Sequence, residues 1–319
     1  MKERNLSIEL FKFIAVVLVI NSHMELLYGK YSFLATGGAI GDCMFFFASG
    51  FTIFLGRGGT FDNWYKRRIR RIYPSLMAWA LILPVINNKF ITINDLVAGG
   101  GNWFITCIMI YYVLLYVAKK FFENKPLIPL LASISLVLVW YLFEDKTSSF
   151  MYGKTYFKWV HYFLFMLLGA YIGNRQFKLV SNIKNDLCLL ILSIVSFYGI
   201  MILAAKFIFF SYLQILSLIP LFGIIIYSFK LCSLPSVDEF MKTKKGLCLR
   251  FISGLCLESY IVQGVMFTDK LNFLFPFNIL LVFLVIMITA YITRSLGKII
   301  LQIFQKEDFD WKAVIRLVE

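Results

Sequence analysis

Apolar runs, each long enough to cross a membrane, follow one another along this chain from residue 8 to residue 301. A helix needs roughly 20 mostly apolar residues to span a hydrocarbon core of ~30 Å. Lipid offers no partner to backbone N–H and C=O groups, so spanning segments are helices or the strands of a closed barrel. The runs show no period-2 alternation of apolar and polar residues, which argues against the barrel. The expected fold is therefore all-α, a polytopic membrane protein with about ten transmembrane helices. The runs lie near residues 8–28, 38–56, 72–88, 103–120, 127–143, 157–174, 186–205, 208–230, 250–268 and 275–301. Only Lys206 marks a turn between the seventh and eighth, so two helices or one interrupted helix would fit there.

Composition agrees: hydrophobic residues make up 60% of the chain and charged residues 16%, well below the ~25% of soluble domains. Mean hydropathy is +0.78. The apolar runs leave no stretch for a separate aqueous domain, so residues 1–305 are read as one membrane domain and 306–319 as a short cytoplasmic tail. In that tail Phe309, Trp311, Val314 and Leu317 interleave with charge, a pattern suited to an interfacial helix. The first run is too long for a signal peptide, and no small-residue cleavage pattern follows it.

Lysine and arginine set the expected orientation. Lys2 and Arg4, the cluster from Arg57 to Arg71, Lys119 to Lys125, Arg175 to Lys184, Lys242 to Arg250 and Lys298 onward fall on one side. Lys30, Lys89 with Asp95, the mixed stretch from Glu144 to Lys158, Lys206 and Lys270 fall on the other. Both termini are expected in the cytoplasm. The net charge of +14 comes mainly from the inner loops; anionic lipid accounts for it and nucleic acid is not needed as a partner. The cysteines at 43, 107, 188, 232, 248 and 256 form no CxxC pair and are read as packing residues. No HExxH or paired-carboxylate helix is present, so no metal is expected. The glycines at 56–59 and 99–101 are read as turns.

Ionisable residues inside spans are costly and mark candidate sites. The first run carries Glu9, Lys12 and His23. At ~1.5 Å per residue, Lys12 and His23 stand roughly 16 Å apart on a helix, so each would face a different side of the membrane. His23 is either an interfacial histidine bonded to a neighbouring helix or a general base, since imidazole titrates near neutral pH. Asp42, entering the second run from the same side, or Glu25 would orient it. His161 is read as a satisfied residue at a helix boundary. In Lys66-Arg67-Arg68-Ile69-Arg70-Arg71-Ile72-Tyr73-Pro74, a topology anchor is one reading. The other takes Arg68 and Arg71, three apart on a shared helix face, as a bidentate site for the phosphates of a cytosolic donor.

These residues resemble the acyltransferase 3 family of integral membrane acyltransferases. Glu9-Leu10-Phe11-Lys12, followed by ten residues and His23, is similar to that family's first-span signature. Gly41 with Phe45-Phe46 and Ser49-Gly50-Phe51 resembles its second-span motif, and Arg68 to Pro74 its RxxR stretch running into Tyr-Pro. Trp103-Phe104 resembles the opening of its fourth span, Gly169 and Gly173 the end of its sixth, and Glu258-Ser259-Tyr260-Ile261 its late Ser-Tyr-Leu block. Two departures stand out: Lys12 replaces the usual arginine, and Gln263 stands where many members carry histidine.

The resemblance implies transfer of an acyl group, commonly acetyl, from cytosolic acyl-CoA to a carbohydrate hydroxyl at the outer face of a membrane, here the bacterial cytoplasmic membrane. No cofactor would be bound permanently; acetyl-CoA or another acyl-CoA would be a co-substrate. His23 would be the base, with Asp42, Glu25 or Glu9 orienting it. Lys12, Arg68, Arg71 and Tyr73 would meet the donor, while Trp103, Glu258, Tyr260 and Gln263 would line the channel or acceptor site. Two other readings stay open: a transporter or glycan flippase that uses Glu9, Lys12 and His23 to handle protons or substrate, and a noncatalytic partner of a polysaccharide export system.

Overall fold

The structure, a computed structural model, describes residues 5–56, 58–87, 92, 103–146, 150–153, 155–174, 181–305 and 308–316. Of the features read above, Lys2, Arg4, Arg57, Lys89, Asp95, Arg175, Leu317 and the glycines at 99–101 lie outside these residues. The regular secondary structure of the described residues is all helical, with no strand. In chain order the helices are α1 (Leu6–Ser22), α2 (Glu25–Tyr28), α3 (Gly38–Phe54), α4 (Phe61–Asn87), α5 (Trp103–Phe122), α6 (Leu127–Phe143), α7 (Phe157–Asn174) and α8 (Ile183–Lys206). They continue with α9 (Ile208–Ser211), α10 (Leu218–Cys232), α11 (Pro235–Lys242), α12 (Lys244–Gly254), α13 (Cys256–Met266), α14 (Phe277–Ile303) and α15 (Trp311–Ile315). Single 3₁₀ turns cover Gly29–Leu34, Gln214–Ser217 and Asp269–Leu274.

Among the described residues, five helical segments are long and apolar enough to cross a membrane, or six if the first bent pair counts as one span. α3 and α6 are apolar but shorter, so the expected ten are not reached by length and composition. The sixth run matches α7, Phe157–Asn174. The first run does not stay straight to residue 28: α1 stops at Ser22 and the chain bends by 65° into Glu25–Leu34. The third begins earlier than expected, at Phe61, so the basic run winds as helix into the apolar part of α4. The eighth is broken into α9, a 3₁₀ turn and α10, and the ninth divides at Leu255 into α12 and α13. Lys206 does end a helix, since Phe207 is extended with φ −129° and ψ 123°, which resolves the seventh and eighth runs into separate helices.

The chain divides into two compact units, with boundaries inside α1, α3, α5 and α11. The first comprises residues 1–11, 42–57 and 114–240. Its α3 and α7 cross backbone against backbone: a Cβ on Gly50 would lie 1.8 Å from the Met166 carbonyl oxygen, and one on Gly169 would lie 2.0 Å from that of Phe47. Small residues permit such approaches where lipid supplies no hydrophobic drive for helix association. Phe11, Phe47, Phe51 and Phe229 pack beside this crossing with ring centroids 5.0–6.3 Å apart. α8 lies along α10, where Lys230 Nζ pairs with Asp186. Ile191, Leu192 and Val195 of α8 are exposed, as lipid-facing side chains would be. Lys119 Nζ donates to the Phe54 and Gly56 carbonyls at 2.5 and 2.7 Å, satisfying the C-terminal end of α3 as a cation near a helix C-terminus does.

The second unit comprises residues 12–41, 58–113 and 241–319. In it α4 packs on α14, and α13 packs on both. Gly297 of α14 sits against Pro74, where a Cβ would come within 3.0 Å of backbone atoms. Gly41, at the start of α3, admits Val19 and the Ala15 carbonyl of α1 at similarly short range. The tail is a helix: Asp310 caps α15 by accepting from the Ala313 amide at 3.0 Å. α15 returns along α14, where Lys298 Nζ donates to the Ala313 and Arg316 carbonyls and the Tyr291 hydroxyl to that of Ile315.

The packing role read for all six cysteines holds for Cys43, Cys107 and Cys232, which are buried, and fails for Cys188 and Cys248, which are exposed. A thiol is small and apolar enough to face lipid as readily as core.

Candidate active site

Within the second unit, α1 carries Lys12 and ends at Ser22, so His23 sits at the bend rather than inside a continuous span. His23 is exposed, and its ring centroid is 6.4 Å from that of Phe267, which follows α13. Glu25 opens α2 and is exposed. An exposed imidazole at the end of a helix is reachable by a substrate in a way that a ring in the middle of a packed helix is not.

Arg68 and Arg71 are neighbours on α4 with unlike surroundings. Arg68 is 9% exposed; its guanidinium lies 3.9 Å from the centre of the Trp64 ring and donates to the Trp64 carbonyl at 3.1 Å. Trp64 is itself fixed, its indole N–H donating to the Tyr112 carbonyl of α5 at 3.2 Å. Arg71 is exposed and Tyr73 half-buried. The i,i+3 spacing makes the two arginines neighbours along the helix, but an aromatic partner four residues earlier draws Arg68 inward. Arg67 is also committed, donating to the Gly58 carbonyl at 3.1 Å.

Just past Pro74, the Ser75 hydroxyl donates to Glu258 Oε1 of α13 at 2.7 Å, and both residues are buried. The charges of Arg294 and Arg71 act on this carboxylate. Glu258 thus ties the helix of the basic run to α13 and sits among cations. Arg294, in α14, is a cation that the sequence reading did not single out. Its signal was available: an arginine in the middle of an apolar run, one turn before the Gly297 that touches Pro74. Tyr260 packs on Phe104 with ring centroids 4.6 Å apart and the rings tilted by 42°, and Phe104 lies edge-on to Trp103 at 6.0 Å. Gln263 is buried, and its Oε1 has no hydrogen-bond partner among the described residues.

The first unit holds the remaining candidates. Glu9 is buried on α1. Asp42 is also buried; its Oδ1 has no hydrogen-bond partner among the described residues, and the charge acting on it is that of Lys158. His161 is not at a helix boundary in the solvated sense but fully buried in α7, with Nε2 2.9 Å from the Met151 carbonyl and Tyr152, Phe157 and Tyr162 around the ring. Tyr152 bonds to Ser217 at 2.7 Å, and burial pushes its hydroxyl pKa up. Gln214 accepts from the Phe150 amide at 3.0 Å. These contacts make His161 part of a packed polar cluster that holds the 150–153 segment. Among the described residues, no three His, Cys, Asp or Glu side chains come together as a metal site requires.

The sequence model of the acyltransferase 3 family, described as an acyltransferase domain, matches residues 5–294. No curated protein and no solved structure matches the chain. The match covers both units and every motif quoted above, so the chain belongs to this family and is a membrane acyltransferase.

Proposed function

We propose that this membrane acyltransferase moves an acetyl group from cytosolic acetyl-CoA to a hydroxyl of a polysaccharide at the outer face of a bacterial cytoplasmic membrane. The observation that carries the reading is His23, an exposed imidazole at the end of α1 with ten residues between it and Lys12, in a chain whose family match begins at residue 5. His23 takes the proton of the acceptor hydroxyl as its oxygen attacks the thioester carbonyl. The tetrahedral intermediate collapses, the C–S bond breaks, and the imidazolium returns the proton to the departing thiolate. Proximity of the two substrates supplies the rest of the catalysis.

Donor phosphates would meet Arg71 and, with Glu258 holding the local charge in place, Arg294. Lys12 adds a charge at the N-terminal part of α1, where the family usually has arginine. The roughly 16 Å between Lys12 and His23 on a helix is comparable with an extended pantetheine arm, so the thioester could reach His23 while the nucleotide stays in the cytosol. Arg68, stacked on Trp64, supports the helix rather than the ligand.

The test is acetyl-CoA-dependent labelling of extracellular polysaccharide in cells that carry the wild-type chain, the His23→Ala variant or neither. Labelling with wild type alone supports the reading. Equal labelling in all three refutes it.

A further inference from the structure

A cleft of about 190 Å³ opens in the second unit between two short irregular segments, one wall from Leu27 to Tyr31 and the other carrying Asn272 and Phe275. We propose that this cleft is the acceptor subsite and that it binds one sugar ring stacked against Tyr31 and Phe275. The inference rests on the proposed transfer to a polysaccharide and names where that substrate sits.

The rings are arranged for stacking. Tyr31 and Phe275 lie 5.5 Å apart and 23° from parallel, and Tyr28 meets Phe275 edge-on at 6.2 Å. Tyr31 and Phe275 are 39% and 38% exposed, so each keeps part of a ring open. An aromatic face with polar groups at its rim suits a ligand whose ring has apolar C–H faces and hydroxyl edges. Lys30 supplies donors at the rim, its Nζ 5.1 Å from the Tyr31 ring centre. A volume of about 190 Å³ is on the scale of one monosaccharide unit.

The walls are held by a set of amide hydrogen bonds. Asn278 Nδ2 donates to the Leu27 carbonyl and Asn272 Nδ2 to that of Leu26, each at 2.8 Å. The Tyr28 hydroxyl donates to Asn21 Oδ1 at 2.7 Å, and Asn21 Nδ2 donates to the Leu34 and Thr36 carbonyls at 2.9 Å. Gly29, at φ +53°, turns the first wall.

Both walls lead back to His23. One begins four residues after it; the other follows Phe267, whose ring lies 6.4 Å from the imidazole. Aromatic residues also anchor proteins at membrane interfaces, and Phe33 and Phe273, 73% and 80% exposed, are placed for that role. Tyr31 and Phe275 instead stack on each other where they line the cleft.

The experiment uses the full-length chain in membrane vesicles with acetyl-CoA and polysaccharide extracted from cells that lack the protein. Tyr31→Ala and Phe275→Leu should raise the KM for polysaccharide about tenfold or more, the scale of a lost stacking contact, with acetyl-CoA affinity unchanged. Tyr31→Phe should restore it, and Phe33→Ala should not alter it. Separately, Tyr31→Trp should show an emission shift on adding polysaccharide that wild type lacks. Transfer that is indifferent to Tyr31 and Phe275 overturns the cleft and leaves the acyltransferase reading intact. An emission shift without any acyl transfer overturns the proposed reaction and leaves the cleft as a glycan site. Loss of vesicle insertion in Tyr31→Ala and Phe33→Ala alike makes Tyr31 an interface anchor and refutes the proposal.

Discussion

At the scale of single residues, Arg68 and Arg71 separate structural from functional charge. Arg68 is buried on Trp64 and bonded to its carbonyl; a cation stacked on an indole and largely desolvated is worth ~2 kcal/mol. Arg68→Ala should therefore lower the melting temperature of the purified protein while acyl-CoA affinity in the surviving folded fraction changes little. Arg71→Ala should do the reverse, weakening acyl-CoA binding in a titration with stability near wild type. Equal loss of affinity in both variants would restore the paired site read from the sequence. His23→Ala should cost about 10² to 10⁴ in transfer rate with insertion intact, the usual worth of a positioned base. His161→Ala should act on stability, because its ring fills a fully buried position bonded to Met151. Lys12→Arg should preserve or raise activity, and Lys12→Met should reduce it, as measured by glycan acylation in membranes. Residue types and spacing were legible in the sequence; which side of α4 each arginine takes was not, since that depends on where Trp64 points.

At the scale of elements, two contacts carry most of the argument. α3 and α7 touch at Gly50 and Gly169, where a Cβ would collide with carbonyl oxygens. Overpacking a tight contact costs ~1–3 kcal/mol, and these clashes are with backbone, so Gly50→Ala or Gly169→Ala should lower thermal stability at least that much, measured by unfolding in detergent. Gly199→Ala, with open space around the position, is the control and should be neutral or stabilising. The second contact is Ser75 to Glu258. Removing one partner of a buried hydrogen bond leaves the other unsatisfied at a cost of ~1–3 kcal/mol. Glu258→Ala should therefore be destabilising by about that much, and Glu258→Gln, whose amide oxygen still accepts from Ser75, milder. Gly50, Gly169 and Glu258 all fell in motifs quoted from the sequence. Their partners, at Met166, Phe47 and Ser75, are far along the chain, and only packing reveals them.

At the scale of the whole molecule, the Lys and Arg distribution predicts that both termini and the Arg57–Arg71 stretch face the cytoplasm while Lys30 and Lys270 face outward. Single-cysteine variants Arg67→Cys and Lys30→Cys, made in a background without the exposed Cys188 and Cys248, should label from opposite sides of intact cells with an impermeant reagent. Labelling of both from one side would overturn the topology and with it the donor and acceptor assignments. The sequence by itself determined that the chain is a helical membrane protein of the acyltransferase 3 family, because lipid leaves the backbone no other way to satisfy its hydrogen bonds and because the motifs keep their order over residues 5–294. Hydropathy could not determine where helices stop. The break after Ser22, the division at Leu255 and the early start at Phe61 occur inside or beside runs whose composition does not change sharply. The tertiary structure alone decided which charges are buried, where backbones meet without a side chain between them, and that two irregular segments more than 200 residues apart are pinned together by Asn272 and Asn278 beside His23. Those outcomes depend on contacts between distant residues, and no local pattern encodes them.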